Sequence, residues 1–355
     1  MGEQQVTVKD IARRAGVSIG TVDRVMHNRS GVSATSRQKV VEAIEALGYR
    51  LNPFASLLAN KKHFRIVCLL PMRCSGEYWE LLYNGLAKAE LDSANRNTSI
   101  EIIDYEQFSR QGFQDAVKRL TTDLPQAVIA APIYHNEMLA LAAELERNSI
   151  PLIYVDSRIE ESDYLAYFGL PLFESGYLAG RLLLGDEPVD EVVNFRIERG
   201  ATPIDDPTLQ RRNGFFNYVA HHCPNLQVYN EFISTHDTAY NATVFERFYA
   251  EHPDTTRIIT FNSRVHLIAG YLEAHQKRDY KVVGFDLLEK NRQLLREGYI
   301  DSLIVQRTEM QIRRAVHTLI DYLAFGTQPQ TKDNLMPMDI LVKENIDFYS
   351  EIYQD

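Results

Sequence analysis

Short apolar runs alternate with longer amphipathic segments from Phe64 to about residue 305, and this alternation constrains the fold more than any other feature. The runs are RIVCLLP, SIEIIDYE, QAVIAAP and PLIYVD, followed by EVVNFRIE, VYNEFIS, RIITFN, KVVGFD and DSLIVQ. Helical segments at 77–96, 109–122 and 136–148 separate the early runs. The pattern predicts parallel sheets with crossover helices.

The apolar runs are nearly continuous, which is typical of strands that are buried on both faces. We expect an α/β body with two doubly wound parallel-sheet subdomains, over about 64–166 and 167–305. A ligand cleft is expected between them at the carboxyl ends of the strands.

Charge is distributed unevenly along the chain. The 355 residues have a formal net charge of −10, yet residues 1–62 contain ten Lys and Arg against five Asp and Glu, a net +5. The remainder therefore carries −15. A small basic head on an acidic body suggests that the head contacts a polyanion.

The head contains many residues that typically start or end helices. Thr7 with Asp10 three residues later is a capping box, and Gly16 ends this first helix. Ser18 caps a second helix that runs to about Met26, and Ser33 caps a third. We expect a small all-α helix-turn-helix domain over 1–50. The side chains expected in its core are Val8, Ile11, Ala12, Ala15, Val40, Val41, Ile44 and Leu47.

The segments VTVKDIARRAGVSIGTVDRVMHNRSGVS, TSRQKVVEAIEALGY and NPFASLLANKK resemble the head of the lac repressor (LacI/GalR) family. The resemblance implies a recognition helix from Ile19 to His27 in the major groove, with Ile19, Gly20 and Arg24 towards base edges. An Arg24 guanidinium can donate a bidentate pair to guanine O6 and N7. Asp23 can accept from a cytosine or simply orient Arg24.

Further DNA contacts are expected from helix starts and from the linker 51–62. The family resemblance implies that this linker becomes a helix when two protomers pair over DNA, with Leu58 wedged into the minor groove. Two alternatives stay open, because Ser and Thr at helix starts can be plain caps and the linker leucines can dock on the body. The further candidate DNA-binding residues are Thr7, Ser18, Thr21, His27, Ser33, Arg37, Asn52 and Ala55.

The body resembles the type I periplasmic sugar-binding fold that this family carries behind its head. The resemblance implies an effector-binding domain over 63–355, with the helix 309–325 on the first subdomain and 334–347 returning to the second. The first subdomain would comprise about 64–166 and 307–330, and the second about 167–305 and 331–355.

Candidate ligand residues follow the predicted strands. Tyr78 and Trp79 can stack on a sugar ring or a base, and Arg211 matches the family's ligand-clamping arginine. Hydrogen-bonding side chains at strand ends are Asp156, Asn262, Asp286 and Gln306. Each has a structural alternative: Asp and Asn form turns, Arg211 can form a surface ion pair, and the aromatic pair can be core.

Two further arginines, Arg73 and Arg158, fall in the same loops. With Arg211 they would make a triple-cation cleft suited to a phosphate or carboxylate, although loop arginines are more often solvated. We therefore expect a small neutral carbohydrate as the effector, with a sugar acid, a sugar phosphate or a nucleobase as the alternative.

Together these features predict a cytoplasmic, ligand-controlled transcriptional regulator, most simply a repressor, that binds operator DNA as a homodimer. No signal peptide or membrane-spanning run is visible, and we expect no cofactor and no metal. Phosphate-loop, HExxH and GxSxG motifs are missing from the sequence of the body, so no enzyme is expected. A carbohydrate-binding protein, or a sugar hydrolase using Asp156 and Asp286, is the remote rival.

Overall fold

The computed structural model describes residues 6–26, 31–47, 63–94, 96–186, 188–197 and 208–349. It divides the chain into two compact units, Met1–Lys61 and Lys62–Asp355. The candidate DNA contacts His27, Asn52, Ala55 and Leu58 lie outside the described residues.

Within its described residues the first unit contains three short helices, α1 (Val8–Ala15), α2 (Ile19–Met26) and α3 (Ala34–Ala46). At the start of α1 the Thr7 backbone N–H donates to the Asp10 carboxylate, as the capping box predicts. Gly16 ends this helix in the left-handed region at φ 65°, where glycine is favoured. These elements confirm the helical head.

The core of the first unit is made by one stripe of each helix. Val41, expected in this core, is 40% exposed, so that prediction was wrong. Helical periodicity explains the difference, because Val40 and Ala43 define the buried stripe and Val41 lies about 100° away from Val40. The buried side chains are Ile11, Ala12, Ala15, Val22, Val25, Val40 and Ala43.

The described part of the second unit contains two six-stranded sheets. Their strand orders are β11-β5-β4-β3-β1-β2 and β12-β10-β9-β8-β6-β7, and only the β10–β12 pair is antiparallel among the described strands. The strands are β1 (Phe64–Pro71), β2 (Thr98–Tyr105), β3 (Ala127–Ala130), β4 (Leu152–Asp156), β5 (Ala166–Gly169), β6 (Glu191–Ile197), β7 (Gln227–Ile233), β8 (Arg257–Ile259), β9 (Lys281–Phe285), β10 (Ser302–Val305), β11 (Asp333–Leu335) and β12 (Asp339–Leu341).

Helices cover both faces of each sheet, which confirms the doubly wound architecture. They are α4 (Tyr78–Ser93), α5 (Arg110–Thr122), α6 (His135–Arg147), α7 (Leu172–Leu184), α8 (Leu209–His222), α9 (Thr238–Glu251), α10 (His266–Ala274), α11 (Glu289–Glu297), α12 (Thr308–Phe325) and α13 (Ile346–Tyr349). In the first sheet α4 and α12 pack on one face and α5 and α6 on the other. In the second sheet α7 and α8 pack opposite α9, α10 and α11.

Burial on both faces holds for the central strands but not for the edges. Strand β2 exposes two residues and β7 exposes three. Each is an edge strand, which pairs with a neighbour on one side only in the described sheets. Apolar side chains alone did not distinguish these edge strands from the interior ones.

The chain passes between the two sheets three times: from β5 to α7, from β10 to α12, and from β11 to β12. Strand β5 pairs with β4, and β11 pairs with β5, so residues 166–169 and 333–335 belong to the first subdomain. The expected subdomain boundaries at 167 and 331 are corrected accordingly. Apolar runs mark where strands lie but not which sheet they join.

No helix within the described residues is both long enough and apolar enough to span a bilayer.

Candidate functional site

A small cavity lies between the carboxyl ends of the two sheets. Its volume is about 60 Å³, and its walls come from both subdomains. Seven of the nine candidate ligand residues line it. The lining residues are Tyr78, Trp79, Gln107, Asp156, Ser157, Leu172, Thr208, Arg211, Asn262, Ser263, Arg264, Asp286 and Gln306.

Tyr78 and Asp156 form the wall on the first subdomain. The Tyr78 hydroxyl donates to Asp156 Oδ1 at 2.5 Å, and burial raises the pKa of this phenol well above its usual range. Trp79 packs edge-on against Tyr78 at a ring-centroid distance of 5.1 Å. Both aromatic residues also belong to the core that α4 shares with its sheet, so the binding and core interpretations are compatible.

Asp286 and Gln306 lie on the second subdomain and are almost fully buried. Gln306 Nε2 donates to Asp286 Oδ1 at 2.9 Å. Burial raises the pKa of Asp286 to about 6, while the nearby Arg211 charge and the Gln306 hydrogen bond oppose this rise. This carboxyl therefore changes charge closer to neutral pH than an ordinary aspartate does.

Asp156 and Asp286 occupy equivalent backbone positions in the two subdomains. Each follows or ends a strand and has a positive φ, 68° and 67° respectively. The left-handed region is tolerated by aspartate better than by bulkier residues. Both aspartates therefore do form turns, as the structural alternative predicts. The same turns place both residues at the cavity.

Arg211 is 7% exposed, which excludes its interpretation as a surface ion-pair residue. It lies in the first turn of α8, and its Nη1 donates to the Phe261 carbonyl oxygen at 2.9 Å. Its guanidinium carbon lies 4.4 Å from the centroid of the Phe285 ring. Its buried Nε has no hydrogen-bond acceptor in the described structure.

Asn262 is engaged within its own loop. Its Nδ2 donates to Thr260 Oγ1, and its Oδ1 accepts from the Arg264 backbone N–H at 2.8 Å. The next arginine, Arg264, reaches across the cleft and forms an ion pair with Glu77 at 2.7 Å.

Two candidate ligand residues lie outside this cavity. Arg73 is exposed, and its guanidinium carbon lies 5.4 Å from the centroid of the Tyr83 ring. Arg158 contacts Glu160 at 2.9 Å and lines a larger neighbouring cavity of about 610 Å³. Arg73 and Arg158 therefore do not join Arg211 in a triple-cation cleft, the alternative that the sequence left open. Each guanidinium has a closer partner outside the cavity, which the linear sequence did not show.

Gln311, which the sequence analysis did not single out, supports the site from behind. Its Oε1 accepts from the Asp156 backbone N–H at 3.1 Å, and its Nε2 donates to the Gln306 carbonyl oxygen at 2.9 Å. It is fully buried near the start of α12. Arg264 could have been found because it follows Asn262 in a strand-end loop, but the position of Gln311 depends on a crossover.

The head places its candidate DNA contacts on one exposed helix face and at helix starts. Ile19, Gly20 and Arg24 are exposed on α2, while Val22 and Val25 are buried. Ser18 Oγ accepts from the Thr21 backbone N–H at 3.1 Å. Ser33 Oγ accepts from the Ser36 backbone N–H at 3.2 Å.

Both serines therefore act as caps, and Thr7 joins the capping box of α1. These hydrogen bonds do not prevent the same hydroxyls from also meeting phosphates. Arg37 lies in the first turn of α3 and is partly buried.

Within the described residues, no group of three or more His, Cys, Asp or Glu side chains is arranged to hold a metal ion.

Two family models match the chain. Residues 7–52 match the bacterial regulatory proteins of the lacI family. Residues 67–328 match the periplasmic binding protein domain.

Two named regulators match different shares of the chain. The chain is 37% identical to catabolite control protein A of Streptococcus mutans over 84 residues, which cover 24% of this chain and only 25% of that protein. It is 27% identical to the ribose operon repressor of Halalkalibacterium halodurans over 300 residues, covering 79% of this chain and 80% of that protein.

Among solved structures, a protein from Bacteroides fragilis described as a LacI transcriptional regulator is 32% identical. The match covers 81% of this chain and 100% of that chain, with a TM-score of 0.77. GanP of Geobacillus stearothermophilus, a glucose-galactose binding protein, is 18% identical with a TM-score of 0.67 and covers 80% of this chain and 99% of its own. The latter likeness shows the fold alone.

Proposed function

The chain belongs to the LacI family of bacterial transcriptional regulators, and from this premise we propose that it is a cytoplasmic repressor whose operator affinity is controlled by a small neutral carbohydrate. It binds a near-palindromic operator as a homodimer, since two heads that read two half-sites require a twofold protein. The effector binds in the cavity between the two subdomains.

The charge balance of the cavity is the observation that carries the choice of a neutral ligand. Two guanidinium groups, Arg211 and Arg264, line the cavity, and three carboxylates lie at or beside it: Asp156, Asp286 and Glu77. Because Arg73 and Arg158 lie outside the cavity, the cavity has no excess of positive charge. A ligand with many hydroxyls can donate to the carboxylates and accept from the guanidiniums without bringing a charge of its own.

The buried polar groups of the cavity support the same ligand class. Arg211 Nε and Arg264 Nε are buried without an acceptor in the described structure. Unsatisfied buried donors are costly, and a hydroxyl-rich ligand would supply the missing acceptors.

Binding of a sugar requires the cleft to open. The present cavity of about 60 Å³ is much smaller than the about 300–1,000 Å³ typical of ligand pockets. An effector that favours one separation of the two subdomains over another would shift their population, which is the requirement for control of operator affinity.

Selection of genomic fragments by the full-length protein tests the DNA-binding half of the proposal. We expect enrichment of one near-palindromic sequence, followed by footprint protection of both half-sites. Enrichment without sequence preference would contradict an operator-specific regulator.

Titration with sugars tests the effector half. Emission from Trp79, the single tryptophan of the chain, would be followed with pentoses, hexoses, their uronic acids and their phosphates. We expect a saturable change with a neutral sugar, and release of the selected DNA by that sugar. A response only to sugar acids or phosphates would favour the anionic alternative.

A catalytic role is not part of the proposal. The two carboxylates that a hydrolase would need, Asp156 and Asp286, are held by Tyr78 and Gln306 respectively. Unchanged sugar recovered after prolonged incubation with the protein is the expected result, and hydrolysis of a glycoside would revive the enzyme interpretation.

A further inference from the structure

Glu77 and Arg264 face each other from opposite sides of the cleft. Glu77 is the residue before α4 in the first subdomain, and Arg264 follows β8 in the second. Arg264 Nη2 lies 2.7 Å from Glu77 Oε2, with side-chain exposures of 11% and 29%. The pair therefore joins the two subdomains directly, and neither residue lies in a crossover.

Local hydrogen bonds fix both ends of this pair. The Arg264 backbone N–H donates to Asn262 Oδ1 at 2.8 Å, and Asn291 Nδ2 donates to the Ser263 carbonyl oxygen at 2.8 Å. On the opposite wall the Glu77 backbone N–H donates to the Cys74 carbonyl oxygen at 3.1 Å. Because both loops are held, the ion pair constrains the separation of the walls and is not merely a contact between two mobile side chains.

An apolar contact acts beside the ion pair. Leu288, which precedes α11 in the second subdomain, is 3% exposed and packs in the core cluster of the first subdomain with Tyr78 and Trp79. An opening of the cleft would have to break the contact of Leu288 with this cluster as well as the Glu77–Arg264 pair. A partly buried charge pair is screened less by salt than an exposed one, so its loss is felt at ordinary ionic strength.

We propose that Glu77 and Arg264 are positioning residues that hold the two walls of the cleft at their closed separation. We call this ion pair the latch. It sets the fraction of molecules in which Trp79 and Arg211 face each other across the site. A change in this fraction changes the apparent affinity for any ligand that distinguishes the two separations. The inference goes beyond the proposed function because it requires no particular sugar.

The test uses acrylamide quenching of Trp79 in the full-length protein without added sugar. Trp79 is 7% exposed and lines the cavity two residues after Glu77. We expect Glu77→Gln and Arg264→Gln each to raise the quenching constant and to shift the emission to longer wavelength. The charge-swapped double variant, Glu77→Arg with Arg264→Glu, should restore values near those of the parent.

Glu289→Gln is the matched control, because its partner Arg292 lies 3.9 Å away in the same helix and does not span the cleft. It should leave Trp79 quenching unchanged. Far-UV circular dichroism establishes that each variant is folded. If Arg264→Gln does not fold, Arg264→Lys replaces it in the test, because lysine retains the positive charge. We expect its quenching constant to lie above that of the parent and below that of Glu77→Gln.

Two results would overturn the proposal. Folded single variants with the quenching constant of the parent would show that the pair does not hold the cleft. Raised quenching in both single variants, without recovery in the double variant, would show that the two side chains act separately. Neither result depends on whether a sugar is the effector.

Discussion

Gly176 in α7 lies against the backbone of Arg211 in α8, so closely that a Cβ on this glycine would be 1.7 Å from the Arg211 carbonyl oxygen. The contact is reciprocal, since a Cβ on Gly214 would be 1.8 Å from the Phe173 carbonyl oxygen. The two helices therefore pack backbone against backbone, and their separation fixes where the Arg211 side chain enters the cavity.

We expect Gly176→Ala to force α7 and α8 apart and to move Arg211 away from Phe261 and Phe285. Overpacking of this kind costs about 1–3 kcal/mol, and the same displacement should weaken effector binding. Urea unfolding and Trp79 titration measure the two effects.

The matched control is Gly270→Ala, another glycine within a helix, where an added methyl group would meet no neighbouring element within 4 Å. It should be neutral or stabilising by about 0.5–1 kcal/mol, the usual gain of alanine over glycine in a helix. Equal stability of the two variants would contradict the close packing at Gly176.

Gln311→Met tests the support behind the site. Methionine has a similar length but cannot hydrogen bond to the Asp156 N–H or the Gln306 carbonyl oxygen, so both of these hydrogen bonds are lost. We expect a loss of about 1–3 kcal/mol in unfolding free energy, together with weaker effector binding. The exposed Gln111→Met change is the control, and an unchanged affinity with Gln311→Met would exclude a positioning role for Gln311.

Asp286→Asn should change how stability depends on pH. Burial raises the pKa of Asp286 from 3.8 to about 6 in the folded protein, so the folded state binds its proton more tightly than the unfolded state. The stability from this group is full below pH 3.8 and is lost as pH rises through about 6. Asparagine does not titrate, so the variant avoids this loss.

The stability of Asp286→Asn relative to the parent should therefore rise by about 1–3 kcal/mol between about pH 4 and about pH 7.5. Urea unfolding of both proteins across this range measures the difference, in which the other carboxyl groups cancel. A constant difference would show that Asp286 titrates normally.

Arg24→Ala should remove sequence discrimination by the head. Arg24 is exposed on the same helix as Ile19 and Gly20, and a bidentate contact to guanine contributes about 1–3 kcal/mol of discrimination. Binding competition between the selected operator and random DNA measures this term. Lys39→Ala, which removes an exposed charge from α3, should weaken binding to both DNAs alike, and the same pattern with Arg24→Ala would mean that Arg24 is not the reader.

The sequence predicted the architecture well because apolar runs and helix caps are local signals. Alternating strands and helices in the body, the capping box at Thr7 and the glycine stop at Gly16 all depend on neighbouring residues. Boundaries between the subdomains were less accurate because pairing of β5 and β11 in the first sheet is a long-range property.

The candidate site was predicted in part for the same reason. Residues at strand ends, such as Asp156 and Asp286, were brought together because parallel strands end at one edge. The charge balance of the cavity was not predictable from the sequence. Arg73, Arg158 and Arg211 all follow or begin elements near the same edge, yet of these three only Arg211 is buried at the cavity. Glu77 and Gln311 acquire their positions only when two distant segments meet.

The three crossovers make the body indivisible. Since α12 and β11 complete the first subdomain after the second has been traversed, no single cut releases an intact half. A newly synthesised chain cannot finish its first subdomain until Leu335 has left the ribosome. Exchange of effector specificity between relatives by recombination must therefore move the whole body as one cassette, joined in the segment between α3 and β1.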